Sequence, residues 1–364
     1  MQFTELSYTS FTGRPDSCSR FPGVTRLPSG KLVALYDDGV DPDSPIHEMR
    51  IATSVDDGAT WQDGGVMYDQ ADLGLPHRFT ENCKPVSIGG DELVSVGFGF
   101  MRDRPDLGLA DYAMQFGHFP MSKNTFSRSA DGGATWSLPT FIKHSYETAL
   151  ELSGPPMWCA PEKTLLAFGP PFVLQGHPQR GVCLASEDGG ATWHEQGCFF
   201  ASTHVAPWEV RAIRVASGRI WLVMWSYDLE AKCHLPNHVT YSDDLGRTWS
   251  APMDTGVRGQ AANLFELDGT LHLLYTRREG DDPGIFAAPL SLAADGKSVA
   301  AGESTPFWRV PGMATPDGRI EKQFRNLKFG QPSMTKMTRE GEWLLMYWSC
   351  EEGQYAIRCR VLKF

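Results

Sequence analysis

The chain has 364 residues, 41% hydrophobic and 21% charged, which is enough apolar material for a substantial core and excludes disorder as its main state. A net charge of −11, with no basic stretch longer than Arg277-Arg278, argues against a phosphate-neutralising surface, so nucleic acid is not an expected partner. No run of 18 or more apolar residues occurs, and Met1-Gln2-Phe3-Thr4-Glu5 lacks the basic and apolar regions of a secretory leader. The expectation is therefore a protein without membrane partners, cytoplasmic unless a leader has been removed. Eight cysteines without a C-x-x-C pair suggest reduced, mostly buried thiols.

From the N-terminus onward the chain repeats itself. Six segments read as apolar strand, short turn, strongly apolar strand. They begin at Arg20, Lys84, Gly154, Glu209, Gln260 and Gln331, and turns such as Ser29-Gly30, Ser217-Gly218 and Asp268-Gly269 join the two strands. Between them recurs Ser-x-Asp-x-Gly-x-Thr-Trp, at Ser54–Trp61, Ser129–Trp136, Ser186–Trp193 and Ser242–Trp249. In such a turn Ser and Asp oxygens take up backbone amides, Gly supplies a positive φ, and Trp anchors the next strand, so these Asp residues are expected to be structural. No long amphipathic helix interrupts the series. The prediction is an all-β chain forming a single domain over residues 1–364, a six-bladed β-propeller with four-stranded antiparallel blades. Segments 1–13 and 354–364 should share the blade that closes the ring. Two long inserts, 101–127 and 290–325, interrupt the pattern and are expected to decorate or cover a site.

These boxes, together with Arg20-Phe21-Pro22 leading into the first hairpin, resemble the sialidase (neuraminidase) superfamily of propellers. The resemblance implies glycoside hydrolysis at the central mouth. It implies three arginines on a substrate carboxylate, an Asp as acid/base and a Tyr nucleophile supported by a Glu. Arg20 matches the first arginine, its structural alternative being a pair with Asp37 or Asp38. Asp43, ahead of Asp41, matches the acid/base, and Glu209 matches the supporting Glu. Three departures follow. Trp225 stands at the second arginine's place, no arginine occupies the Gly284-Ile285-Phe286 strand, and Gln331-Pro332-Ser333 stands where the Tyr should begin its strand. Arg258, Arg277, Arg278 and Arg325 remain unassigned, and Tyr347 falls at the wrong end of its hairpin.

Two carboxyl groups are the usual minimum for glycoside hydrolysis. Glu81, Glu151 and Glu209 lie at the starts of three successive hairpins. The expected catalytic groups are Glu209, Asp43 and Glu81, and the expected substrate-binding groups are Arg20, Asp38, Arg78, Arg211, Trp208 and Gln331. Trp208 suits stacking on a sugar face, and Gln331 can orient a hydroxyl or a water but cannot be a nucleophile. Neither a metal nor a cofactor is called for, and the expected partner is a carbohydrate. The leading reading is a glycosidase acting on a terminal sugar, acidic if the arginines meet a carboxylate. The alternatives are an exo-arabinanase-like Glu-pair enzyme, a polysaccharide lyase using His77 or a Tyr, and a sugar-binding propeller without catalysis.

Overall fold

The computed structural model describes residues 1–42, 46–172, 177–310 and 327–364. The chain folds into a six-bladed β-propeller with four-stranded antiparallel blades. It divides into two compact units, Met1–Lys143 with Ser333–Phe364, and His144–Pro332.

The first unit opens with β1 (Thr4–Phe11). It continues with a sheet of β2 (Cys18–Arg26), β3 (Leu32–Gly39), β4 (His47–Ser54) and β5 (Gln62–Val66). The next sheet is β6 (Phe79–Gly89), β7 (Glu92–Met101), β8 (Ser122–Ser129) and β9 (Thr140–Ile142), and the insert between β7 and β8 carries the short helix α1 (Leu109–Phe116).

In the second unit, β10 (Met157–Cys159), β11 (Thr164–Gly169), β12 (Gln179–Ser186) and β13 (His194–Ser202) make one sheet. A second runs β14 (Val205–Arg214), β15 (Ile220–Asp228), β17 (His238–Ser242) and β18 (Met253–Asp254), with the two-residue β16 (Cys233–His234) added beside β15. A third runs β19 (Gln260–Leu267), β20 (Thr270–Arg277), β21 (Gly284–Leu292) and β22 (Val299–Ala301), with β23 (Thr305–Arg309) also on β21. The sixth sheet has the order β1-β26-β25-β24, from β24 (Phe329–Lys336), β25 (Glu342–Glu351) and β26 (Gln354–Lys363). The predicted sharing of a blade by the two chain ends is therefore present, with Thr4 opposite Lys363 and Phe11 opposite Ile357.

The second strand of most blades is buried along nearly its whole length, as in Leu32–Gly39 and Ile220–Asp228. Both of its faces are covered by neighbouring sheets, so it reads as a continuous apolar run rather than an alternation. Between the β10 and β14 sheets, Phe168, Phe199, Leu222 and Met224 meet in one cluster, joined at its margin by Trp249. Each such buried side chain contributes about 1.5–3 kcal/mol. The repeated turns take the predicted form. At the first, Asp56 accepts from the Thr60 amide at 2.9 Å and the Thr60 hydroxyl at 2.6 Å, while Ser54 Oγ accepts the Gly58 amide at 2.9 Å. Asp131, Asp188 and Asp244 repeat the pattern. All eight cysteines are free thiols, six of them buried.

Candidate functional site

One irregularity repeats on the first strands. In β2, β14 and β19 the register jumps between Arg20 and Gly23, Trp208 and Arg211, and Gln260 and Asn263, so two residues oppose one on the partner strand. The first bulged residue is left-handed each time: Phe21 at φ 52°, Glu209 at 46°, Ala261 at 48°. Gln331 on β24 adopts the same φ of 48°. A non-glycine residue in this region costs roughly 1–2 kcal/mol, and a bulge re-aims side chains away from simple alternation.

In the second unit this geometry gathers charged groups. The Glu209 amide, released from the β14–β15 ladder by the bulge, donates to Glu151 Oε2 at 3.3 Å. Burial pushes the Glu151 carboxyl up to about 8, and the neighbouring Glu209 carboxylate pushes the same way against the pull of Glu209's amide and of Arg211. Glu209 Oε2 is itself buried and has no hydrogen-bond partner among the described residues. Arg211, only 5% exposed, donates through Nη1 to Ser153 Oγ at 2.7 Å and to the Val210 carbonyl at 3.0 Å. Burial lowers its pKa, and the Glu209 and Glu151 carboxyls raise it.

Arg278, unassigned from sequence, joins this group. It is buried, its Nε donates to the Phe329 carbonyl at 2.9 Å, and its amide donates to Gln260 Oε1 at 3.3 Å. Burial depresses its pKa while Glu209 and Glu279 oppose that shift. Gln331 lies two residues beyond Phe329 on β24, 8% exposed, and its buried side-chain oxygen has no hydrogen-bond partner among the described residues. Trp208, partly exposed, precedes Glu209 and stacks on Tyr227. Glu151, Glu209, Arg211 and Arg278 thus act on one another electrostatically, while Trp208 adjoins Glu209 along β14 and Gln331 follows Arg278's partner Phe329 along β24. The one signal for Glu151 was its place before a hairpin. Arg278 stood only among four unassigned arginines, because its position just after β20 becomes meaningful only once β24 lies beside it.

The first unit holds the remaining predicted residues. Arg20 is 3% exposed; its Nη2 donates to the Pro42 carbonyl at 2.8 Å and lies 3.9 Å from Asp37, whose carboxylate is bonded to His47 Nδ1 at 2.8 Å. Asp38 is wholly buried and accepts from Ser17 Oγ at 2.5 Å, Ser19 Oγ at 2.6 Å and Arg14 Nε at 3.1 Å, so its oxygens are engaged in holding the first sheet. Arg78 pairs with Glu48 at 3.1 Å. Glu81 shares the apolar face of β6 with Cys83, accepts from the Tyr68 hydroxyl at 2.6 Å, and is raised in pKa by burial against that hydrogen bond. Asp43 lies outside the described residues.

No family model matches the sequence, and no curated protein matches it. Solved structures do. A Dyadobacter fermentans protein of unknown function is similar over 100% of this chain and 99% of its own, with 16% identity and a TM-score of 0.76. A Hadza microbial sialidase is similar over 98% of this chain and 68% of its own, with 19% identity and a TM-score of 0.67. The Penicillium chrysogenum α-L-arabinanase, solved with arabinobiose, is similar over 99% and 98%, with 14% identity and a TM-score of 0.63. These likenesses show the fold: a six-bladed propeller like that of the sialidase and the arabinanase.

Proposed function

We propose that this chain is a glycoside hydrolase working through the carboxyl pair Glu151 and Glu209. The observation that carries the reading is their contact: Glu151 accepts the amide of Glu209 at 3.3 Å, with the buried Arg211 and Arg278 beside them. Glu151, protonated at neutral pH, gives its proton to the glycosidic oxygen as the bond to the anomeric carbon breaks. Glu209 supplies the carboxylate that meets the positive charge developing on the sugar. Water then delivers hydroxide to the anomeric carbon, and its remaining proton restores Glu151. Gln331 offers its side-chain oxygen, without a partner among the described residues, to a substrate hydroxyl, and Arg211 and Arg278 favour electron-rich sugar oxygens or a carboxylate. The absence of a Tyr at Gln331 supports a carboxylate pair over a tyrosyl nucleophile.

The test is mass spectrometry of products from sialosides, uronic-acid oligosaccharides and arabino-oligosaccharides, with Glu151→Gln and Glu209→Gln alongside. Each variant should stay folded and lose roughly 10²–10⁴-fold in turnover. Ligand-induced thermal stabilisation without product would replace the reading by a sugar-binding propeller. An unsaturated product absorbing in the ultraviolet would replace it by a lyase.

A further inference from the structure

Trp208, the residue before Glu209 on β14, belongs to a group of rings that the bond-breaking step does not use. Trp208 lies parallel to Tyr227, centroids 4.7 Å apart and planes 18° apart, and meets its cross-strand partner Trp225 edge-on at 5.3 Å. Trp225 stacks in turn on His234 at 5.3 Å, and its indole N–H donates to His234 Nδ1 at 3.0 Å. That bond fixes the acceptor at Nδ1 and leaves Nε2, 3.5 Å from Glu279, to carry the proton. Trp225 and Tyr227 are buried, whereas Trp208 is partly open to solvent. The short strand β16 exists to this effect, because it places His234 opposite Tyr227.

Rings rather than charged groups surround Trp208, and such a surface suits the apolar C–H face of a neutral sugar better than an anion. The backing rings hold Trp208 in one orientation, which limits the entropy lost when a ligand stacks on it.

We propose that Trp208 is a stacking platform for a neutral sugar ring joined to the ring held at Glu151 and Glu209, so that the ligand is an oligosaccharide of at least two units. This rests on the glycosidase reading above. The experiment titrates the Glu209→Gln protein by calorimetry and saturation-transfer NMR. The probes are arabinose, arabinobiose and arabinotriose in one series, and N-acetylneuraminic acid, its α2,3-linked disaccharide with galactose, and 3′-sialyllactose in another. In the series that binds, the second unit should tighten binding roughly ten-fold, the size of one aromatic contact of about 1.4 kcal/mol. Trp208→Leu should erase that gain, and Trp208→Phe, which keeps a ring, should retain most of it. Equal affinity for one and two units, or an undiminished gain in Trp208→Leu, overturns the platform and leaves the glycosidase reading standing. No binding in either series overturns both.

Discussion

The amide of Glu209 donates to the carboxyl of Glu151, so a backbone irregularity in one blade is tied to the acidity of a side chain that leads into the preceding one. The left-handed turn at Glu209 carries a cost of roughly 1–2 kcal/mol. What it secures is an N–H outside the β-ladder, directed at a buried carboxyl. Without that donor Glu151 would lose a stabilising contact to its charged form and rise further.

Glu151 should leave a signature in stability. Its ordinary value is 4.5 and its folded value about 8. Between these, the folded chain holds a proton that the unfolded chain has released, so stability falls as pH rises, by about 1.4 kcal/mol per pH unit from this group. The contribution is flat below about 4.5 and above about 8. Urea unfolding at pH 5, 6, 7 and 8 should show a steeper decline for the wild type than for Glu151→Gln. Parallel slopes would mean that the Glu151 carboxyl is not perturbed.

Glu81 is expected to behave differently from Glu209, although both were candidates from their place at hairpin starts. Burial against Tyr68 and the Cys83 side of β6 favours its neutral form. An amide of the same shape should therefore be tolerated: Glu81→Gln is predicted to cost less than about 1 kcal/mol and to leave turnover within a few-fold. Tyr68→Phe, which strands a buried acceptor, should cost about 1–3 kcal/mol. Turnover assays and denaturant titrations decide it, and a collapse of activity in Glu81→Gln would restore Glu81 to the chemistry.

The contrast between these two glutamates shows where sequence reading reaches and where it stops. Boxes and hairpins were legible because their chemistry is local: Asp56 and Thr60 are four residues apart and make their bonds whatever surrounds them. The blade shared by the chain ends was legible for another reason: closing a ring of repeated blades leaves the first and last segments to complete one sheet, although Thr4 and Lys363 lie at opposite ends of the chain. Side-chain destination was not legible. It depends on a one-residue bulge that shifts alternation in β14 but is absent from the register around Glu81 in β6, and no residue type announces a left-handed glutamate. Arg278 was invisible for a different reason, since its partner carbonyl, Phe329, lies 51 residues away.

The repeated turns predict an acid limb. At Asp188 the Thr192 hydroxyl and amide hold the carboxyl down at about 2. At Asp131 the corresponding bonds from Thr135 reach about 2 in spite of partial burial pushing upward. A depressed carboxyl contributes stability above its ordinary value near 3.8, and that stability is lost as pH falls toward 2. Thermal unfolding at pH 5 and pH 2.5 should therefore show a smaller acid-induced drop in the Asp131→Asn/Asp188→Asn double variant than in the wild type, from a lower starting point. An equal drop in both would assign the acid limb to other groups.

The bulge that carries Arg20 depends on a side chain from the next sheet. Lys84 on β6 is almost wholly buried, and its Nζ donates to the carbonyl of the left-handed Phe21 at 2.6 Å and to Asn82 Oδ1 at 2.7 Å. Its stem passes over Gly23, where a Cβ would stand 2.4 Å from Lys84 Cδ and 3.1 Å from both Lys84 Cβ and Pro85 Cδ. Gly23→Ala should accordingly destabilise by about 1–3 kcal/mol through overpacking. Lys84→Ala should cost about as much, by leaving the Phe21 carbonyl unpaired and a cavity beneath the bulge. Because the two faults share one space, the double variant should be less destabilised than the sum, with a coupling of about 0.5–3 kcal/mol in a double-mutant cycle. Strict additivity would mean that the clash is relieved by movement elsewhere, and that Lys84 does not set the path of β2 past Gly23.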